Sequence, residues 1–254
     1  MGDVGPRVIV AMDFPELATA RTFAKKLDPS LCRLKVGNEL FTTAGPAVLA
    51  AFHELGFDVF LDLKFHDIPN TVAKAVGAAA RHGVWMVNVH ASGGADMMSA
   101  ARAELAGCTA PPLLIAVTVL TSLSAEAVRS IGWSESPLEC TKKFALEAWR
   151  SGLDGLVCSA QDVATLQTLL SVTPHGLSGE VGTAPVLVTP GIRPAGSALN
   201  DQHRVMTPAQ AIEAGSTYLV VGRPITQSSD PLHTLKKING EITGSYSVEP
   251  GVQG

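Results

Sequence analysis

The 254-residue chain is poor in cysteine, and the cysteines that it has are scattered. They stand at Cys32, Cys108, Cys140 and Cys158, with no CxxC pair and no histidine clustered near them. That spacing argues against a disulfide framework and against a zinc site. No histidine or carboxylate pair stands at ligand spacing either, so we expect buried thiols and no bound metal.

Long apolar runs are also missing. The longest, LLIAVTVL at 113–120, is far shorter than the roughly 20 residues that a membrane-spanning helix requires. The first residues, MGDVGPRVIVAMD, contain a single arginine before a short apolar run that ends in an acid, which is unlike a secretory signal. We therefore expect a soluble, cytoplasmic protein without membrane association.

The chain has no excess of positive charge. Its 19 Lys and Arg residues stand against 23 Asp and Glu residues, for a formal net charge of -4, and no basic stripe interrupts the sequence. This argues against nucleic acid as a partner, so any anion binding must be local. The glycine-rich motifs GxGxxG and GxxxxGK[ST] are absent, so the sequence predicts no nucleotide cofactor.

The sequence does contain a regular alternation of short β-rich runs with longer Ala- and Leu-rich stretches of helical period. The apolar residues of the short runs are continuous, as expected for parallel strands that helices cover on both faces. The predicted strands are residues 7–13, 32–37, 57–64, 85–91, 113–121, 155–159, 186–191 and 218–223.

Eight β/α units in about 250 residues predict an α/β fold, a single (β/α)8 TIM barrel, in preference to a doubly wound open sheet. We expect the barrel to occupy residues 1–240 and residues 241–254 to form a flexible tail.

Polar residues close most of the predicted strands, and in a barrel these strand ends share one face. They are Asp13, Lys35, Asp62, Lys64, His90, Thr121, Ser122 and Arg223. Side chains at positions i and i+2 of a strand point the same way, so Asp62 and Lys64 should both project into the mouth. Asp67 lies beyond the strand, from where it could fold back or reach a neighbouring subunit.

An alternating set of carboxylates and lysines in one confined site favours charged lysines, and a lysine held this way can donate a proton. The alternative interpretation is a solvated ion-pair cluster that caps the third strand. Thr121 and Ser122 could bond a polar ring or could simply cap the following helix.

Two loops predict a phosphate site. The segment 189–208 contains Arg193 and Gln202, and the segment VVGRP supplies Gly222 and Arg223 after the eighth strand. Barrels often bind phosphate in the loops after strands 7 and 8, where backbone N–H groups and arginines meet the anion. The alternative is a pair of surface loops with incidental arginines.

These motifs together resemble the orotidine 5'-monophosphate decarboxylase family of the bacterial type. The resemblance covers nearly the whole chain and rests on VAMDF, LKVGNELF, FLDLKFHDIPNT, VNVHASGG, VTVLTS, VCSAQ, TPGIRP, DQHRVMTP and VGRPIT. The DxKxxD core is moderately specific by itself. Its combination with the IPNT turn and the two phosphate loops is highly specific.

The resemblance implies a homodimeric enzyme with shared active sites that converts orotidine 5'-monophosphate to uridine 5'-monophosphate and carbon dioxide without a cofactor. It implies that Lys64 donates a proton to C6, that Asp62 faces the substrate carboxylate and that Lys35 bridges the ribose and the acids. The remaining roles that it implies are Asp67 and Thr71 from the partner subunit, Asp13 at a ribose hydroxyl, Thr121 and Ser122 near the pyrimidine, and Arg193, Gln202, Gly222 and Arg223 at the phosphate.

Two alternatives remain at this stage. One is a magnesium-dependent enzyme similar to 3-keto-L-gulonate 6-phosphate decarboxylase or hexulose phosphate synthase, in which an acid at the end of the second strand binds the metal. Here Lys35 takes that position, and a fixed cation would oppose a divalent ion. The other is a non-catalytic sensor of a phosphate ligand on a barrel scaffold.

Overall fold

A computed structural model describes residues 5–176, 179, 181–182, 184–194 and 206–244. Each predicted strand is present in this part of the chain, and each overlaps its predicted range. The strands are β1 (Val8–Ala11), β2 (Cys32–Val36), β3 (Val59–Phe65), β4 (Met86–His90), β5 (Leu113–Val117), β6 (Gly155–Val157), β7 (Val186–Thr189) and β8 (Tyr218–Val221).

The strands pair in parallel in sequence order, and β8 pairs with β1 to close the sheet into a barrel. The predicted (β/α)8 TIM barrel is therefore confirmed, and the open doubly wound sheet is excluded because an open sheet would leave β1 and β8 unpaired with each other.

Helices follow the strands around the outside of the barrel. They are α1 (Leu17–Ala24), α2 (Asn38–Ala44), α3 (Ala47–His53), α4 (Pro69–Arg81), α5 (Gly94–Glu104), α6 (Ala125–Ser130), α7 (Pro137–Arg150), α8 (Val163–Ser171), α9 (Pro208–Glu213), α10 (Arg223–Thr226) and α11 (Pro231–Thr243). Short 3-10 turns occupy Ala91–Gly93, Leu105–Gly107 and Ala160–Asp162. No helix among the described residues is both long enough and apolar enough to cross a membrane.

Several helices begin where the sequence supplies a capping residue followed by proline. Ser136 accepts a bond from the backbone N–H of Glu139 at the start of α7, and Asp230 accepts one from His233 at the start of α11. Such side chains satisfy N–H groups that have no partner within the helix. The last helix runs three residues past the predicted boundary at 240, and the flexible tail stays a prediction because residues 245–254 lie outside the described range.

The strands present alternate side chains to two different cores. Residues such as Val8 and Val10 pack outward among the helices, while Ile9 between them points into the barrel. The barrel interior contains a buried layer of Ile9, Phe60, Met86, Ile115, Val188 and Tyr218. Burial of each large apolar side chain stabilises the fold by roughly 1.5 to 3 kcal/mol.

Arg33 closes the barrel at the end where the strands begin. Its guanidinium lies 4.1 Å from the centroid of the Trp85 ring and 5.2 Å from that of Tyr218, and its Nε lies 3.1 Å from the carboxylate of Asp58. Lys35 stands two residues further along β2, on the same inward face. β2 therefore carries a structural cation, Arg33, at the closed end of the barrel and a second cation, Lys35, at the open mouth.

Candidate active site

The ends of the strands surround a cavity of about 590 Å³ at the mouth of the barrel. This volume lies in the range of pockets that hold small molecules. Eight of the predicted site residues line it, namely Asp13, Lys35, Asp62, Lys64, Thr121, Arg193, Gly222 and Arg223. Apolar side chains including Phe60, Val117, Val119, Val157 and Val220 form much of the remaining wall.

Asp62 joins two lysines across the cavity. Its Oδ1 lies 2.8 Å from Nζ of Lys64, and its Oδ2 lies 3.2 Å from Nζ of Lys35. Lys35 makes a second ion pair with Asp13, at 3.3 Å. The side chains of Asp62 and Lys35 are each 11% exposed, whereas that of Lys64 is 30% exposed. Acids and lysines thus alternate along one chain of contacts, with Lys64 the more accessible lysine.

The surroundings of Lys35 keep its ammonium charged. Burial by itself lowers the pKa of Lys35, but the charges of Asp62 and Asp13 and their hydrogen bonds outweigh that effect, so the pKa is raised above its usual value. An opposite charge at about 4 Å contributes roughly 4 kcal/mol at an effective dielectric constant near 20, before desolvation is counted. Lys35 is therefore a permanent cation at neutral pH.

The backbone of Lys64 is unusual. Its φ of 53° lies in the left-handed region, and it is the only residue other than glycine with a positive φ among those the structure describes. This conformation costs a residue with a Cβ atom roughly 1 to 2 kcal/mol. The register between β3 and β4 shifts at the same place, between Leu61 and Phe65. Lys64 therefore projects from an irregular strand end, and not from the regular strand that the i, i+2 argument assumed.

Asn88 is a site residue that sequence reasoning missed. It lies on β4 and is fully buried. Its Oδ1 accepts a bond from the backbone N–H of Lys64 at 2.9 Å, and its Nδ2 donates to Oδ1 of Asp62 at 2.7 Å. An asparagine inside the apolar run VNVH was the available signal, because a buried amide needs hydrogen-bond partners.

Gly37 was missed as well, and it matters because its lack of a side chain leaves room for neighbouring side chains. It follows β2, and a Cβ atom there would lie 3.1 Å from Nζ of Lys35 and 3.4 Å from Oδ1 of Asp13. Its φ of -95° is open to any residue, so side-chain volume is the constraint. The absence of a side chain leaves room for the ion pair.

His90 ends β4, as its position in the sequence indicated, but it does not line the cavity. Its ring lies 5.7 Å from that of His66, centroid to centroid. Burial lowers the pKa of His90, and the charges of His66 and Lys64 act in the same direction. These effects favour the neutral imidazole beside Lys64, against the opposing charge of Asp62.

The two predicted phosphate-binding loops meet at the same cavity. Arg193 is buried, and its Nη1 donates to the carbonyl oxygen of Ile192 at 2.9 Å. Gly222 and Arg223 stand at the start of the short helix α10. Thr226 and Gln227, at the end of that helix, also line the cavity and were missed by sequence reasoning. The predicted Gln202 lies outside the described residues.

Three predicted residues do not line the cavity of their own chain. Asp67, Thr71 and Ser122 are all exposed. Oδ1 of Asp67 accepts a bond from the backbone N–H of Ile68 at 2.6 Å, and the side chain of Ile68 is 67% exposed. The loop after β3 therefore presents an acid and an apolar side chain to the outside.

Comparison with known proteins relates this geometry to one family. The model described as "Orotidine 5'-phosphate decarboxylase / HUMPS family" matches residues 6–238. Proteins named orotidine 5'-phosphate decarboxylase from Hahella chejuensis and Marinomonas sp. are 56% and 53% identical to this chain, covering 94% and 92% of it and 97% and 96% of their own lengths.

Solved structures agree. The orotidine 5'-phosphate decarboxylase of Lactobacillus acidophilus superposes with a TM-score of 0.78 at 37% identity, over 94% of this chain and 99% of that one. A structure described as an uncharacterized conserved protein from Geobacillus kaustophilus has a TM-score of 0.77 at 36% identity, over 92% and 99% of the two chains.

Proposed function

The chain belongs to the orotidine 5'-phosphate decarboxylase / HUMPS family, and from that premise we propose that it decarboxylates orotidine 5'-monophosphate to uridine 5'-monophosphate. It is a carboxy-lyase, and the reaction would be the last step of de novo UMP synthesis. The observation that carries the proposal is Lys64 paired with Asp62 at 2.8 Å inside the cavity, with Lys35 on the other oxygen of that carboxylate.

The chemistry of the reaction matches a fixed ammonium. When the bond between C6 and the carboxylate breaks, carbon dioxide leaves and the electron pair stays on C6. The ring has no β-carbonyl group to accept that charge. Lys64 would stabilise the developing carbanion electrostatically and then transfer a proton from Nζ to C6.

Asp62 would lie against the carboxylate that leaves. Two negative charges repel in the bound substrate, and the repulsion disappears as neutral carbon dioxide forms. The two ion pairs and the bond from Asn88 hold Asp62 in place for this role. Lys35, which is tied to both Asp62 and Asp13, would link the reacting end of the cavity to the ribose hydroxyl groups.

The rest of the cavity would hold the parts of the substrate that do not react. Arg193, Gly222 and Arg223, together with Gln202, would bind the 5'-phosphate, as barrels commonly do after strands 7 and 8. Thr121, which lines the cavity, would contact the pyrimidine, while the contact expected of Ser122 stays a prediction because Ser122 is exposed outside the cavity. Binding energy from the phosphate can then be used to fix the ring against Lys64, which raises the rate of the chemical step.

We also propose a homodimer in which Asp67 and Thr71 complete the site of the partner subunit. The support is that both residues are exposed and do not line the cavity of their own chain, although they stand close to Lys64 in sequence. The neighbouring Ile68 is apolar and 67% exposed, as expected for a residue that a partner covers.

The deciding experiment follows the absorbance of orotidine 5'-monophosphate with the purified protein. We expect loss of the orotate absorbance with release of one carbon dioxide and one uridine 5'-monophosphate for each substrate molecule. Tight binding without turnover would instead identify a phosphate-ligand sensor.

The same assay with a chelator distinguishes the magnesium-dependent members of the family. Lys35 occupies the end of β2, where their metal-binding acid would be, so we expect full activity in the presence of chelator. Activity that chelator abolishes and magnesium restores would contradict the proposal.

A further inference from the structure

Asn88 occupies a special place in the sheet. The register pairs Leu61 with Val87 and Phe65 with Val89, so three residues of β3 stand opposite Asn88 alone. A bulge of this kind disrupts the ladder of backbone hydrogen bonds. Here the side-chain Oδ1 of Asn88 accepts the backbone N–H of Lys64, at 2.9 Å.

The other end of the same amide reaches the carboxylate. Nδ2 of Asn88 lies 2.7 Å from Oδ1 of Asp62, the oxygen that also pairs with Nζ of Lys64 at 2.8 Å. A backbone N–H can only donate and an ionised carboxylate can only accept, so these two partners require one acceptor and one donor. A primary amide supplies both, whereas a carboxylate or an apolar side chain of the same size does not.

We infer that Asn88 is a positioning residue for the decarboxylation. Its side chain fixes the backbone of Lys64 and the carboxylate of Asp62 relative to each other. The inference rests on the proposed function. Lysine has a long, flexible side chain, and its ammonium stays at one place only if its backbone and its counter-ion are both held. Asn88 holds both, from a fully buried position and without lining the cavity.

Two substitutions test this role. Asn88→Leu removes both hydrogen bonds at similar size. Asn88→Asp keeps the shape and an acceptor for Lys64, but it places an oxygen against Asp62. The matched control is Ser216→Ala, because Ser216 is also fully buried and its hydroxyl accepts a bond from Thr189, yet it precedes β8 at the opposite end of the barrel.

We expect kcat of both Asn88 variants to fall by about 100-fold, the loss typical of a reacting group displaced by about 1 Å. The inhibition constant of uridine 5'-monophosphate should stay within about threefold, because the residues proposed to hold phosphate and ribose are unchanged. Ser216→Ala should keep its kcat. A kcat near that of the unsubstituted enzyme would overturn the inference. So would an equal loss of kcat in Ser216→Ala, or an equally large loss of affinity for uridine 5'-monophosphate in the Asn88 variants.

Hydrogen exchange of the Lys64 amide gives a readout that does not depend on activity. We expect this amide to exchange faster in Asn88→Leu than in the unsubstituted protein, while the amides of β5 keep their rates. An unchanged exchange rate of the Lys64 amide would refute the proposed positioning role of Asn88. If the unsubstituted protein does not decarboxylate orotidine 5'-monophosphate, the proposed function fails, and the exchange rates alone decide whether Asn88 holds Lys64.

Discussion

At the scale of single residues, the position of one ammonium group depends on several neighbouring residues. Lys64 pairs with Asp62, and Asp62 is in turn held by Lys35 and Asn88. Gly37 leaves the space in which Lys35 meets its acids. Each of these contacts restricts a flexible or charged side chain, so the residues act as one unit.

Replacement of Lys64 by alanine tests the proposed proton donor. Lys64→Ala removes both the charge that would face C6 and the proton that would reach it. We expect kcat to fall by at least about 1000-fold, within the range known for general acid catalysis combined with electrostatic stabilisation. Circular dichroism and the unfolding midpoint should show an intact barrel. A variant with near-normal turnover would end the mechanistic proposal.

A methyl group at position 37 tests the space around Lys35. Gly37→Ala would place a Cβ atom 3.1 Å from Nζ of Lys35, which must then shift away from Asp13 or Asp62. We expect kcat/KM to fall by roughly tenfold, because the ribose and acid contacts move together. The loss of stability should be about 1 kcal/mol or less, the cost of replacing glycine by the poorer capping residue alanine at the N-cap of α2.

Gly107→Ala is the matched control for this change, because a Cβ atom at Gly107 would meet nothing within 4 Å. Equal kinetic effects of the two substitutions would contradict the proposed crowding of Lys35. Steady-state kinetics on both variants makes the comparison.

At the scale of the secondary-structure element, the end of β3 departs from a regular strand for a reason that lies at the site. Lys64 adopts a φ of 53°, and the register with β4 shifts beside it. The strand supplies both Asp62 and Lys64 from this irregular end, between Leu61 and Phe65. Asp62 and Lys64, two residues apart on this strand, meet as an ion pair in the mouth at the place where the bulge and the left-handed residue occur.

A comparison of two substitutions at Lys64 measures the conformational strain. Lys64→Gly and Lys64→Ala both remove the ammonium, but glycine tolerates a positive φ and alanine does not. We expect Lys64→Gly to be more stable than Lys64→Ala by about 1 kcal/mol in denaturant unfolding. Lys74 on α4 is the control, since there alanine should be the more stable replacement by about 1 kcal/mol. If alanine were the more stable replacement at both positions, the backbone of Lys64 would not be strained.

At the scale of the whole molecule, barrel closure gathers groups from distant parts of the chain at one open end. Arg33 with Trp85 and Tyr218 closes the opposite end, and a buried apolar layer separates the two. Among the described residues, the cavity therefore opens at the end where the strands finish. The exposed loop with Asp67 and Ile68 stands outside it, which is why we propose that a second copy of the chain takes part in the site.

Mixing inactive chains tests the proposed sharing of sites. In a heterodimer of an Asp62→Ala chain and an Asp67→Ala chain, one site would contain both substitutions and the other none. After random exchange of equal amounts, half of the dimers are mixed and each has one intact site, so about a quarter of all sites should be active. Activity is measured after subunit exchange has been verified with labelled chains.

The control mixture combines Asp62→Ala with Lys64→Ala chains. Both residues serve the site of their own chain in the proposed arrangement, so this mixture should stay inactive. Recovery in the control, or none in the Asp62→Ala and Asp67→Ala mixture despite exchange, would refute the shared site.

Much of the fold and part of the site could be predicted from the sequence. Each predicted strand overlaps the observed one, because strand and helix periods are local properties of the chain. The pairing of Asp62 with Lys64 was within reach of the same local reasoning. Asn88 and Gly37 were not found, since their importance comes from neighbours on other strands.

The sequence by itself determined the alternation of eight strands with helices, and with it the barrel and the face on which polar strand ends gather. Only the tertiary structure decided which of those ends touch. The register between neighbouring strands decides that Lys35 contacts Asp62. It also decides that the backbone N–H of Lys64 donates a hydrogen bond to Asn88. Hydrophobic periodicity records which face of a strand is buried, but it carries no information about a shift in register or a left-handed residue at a strand end.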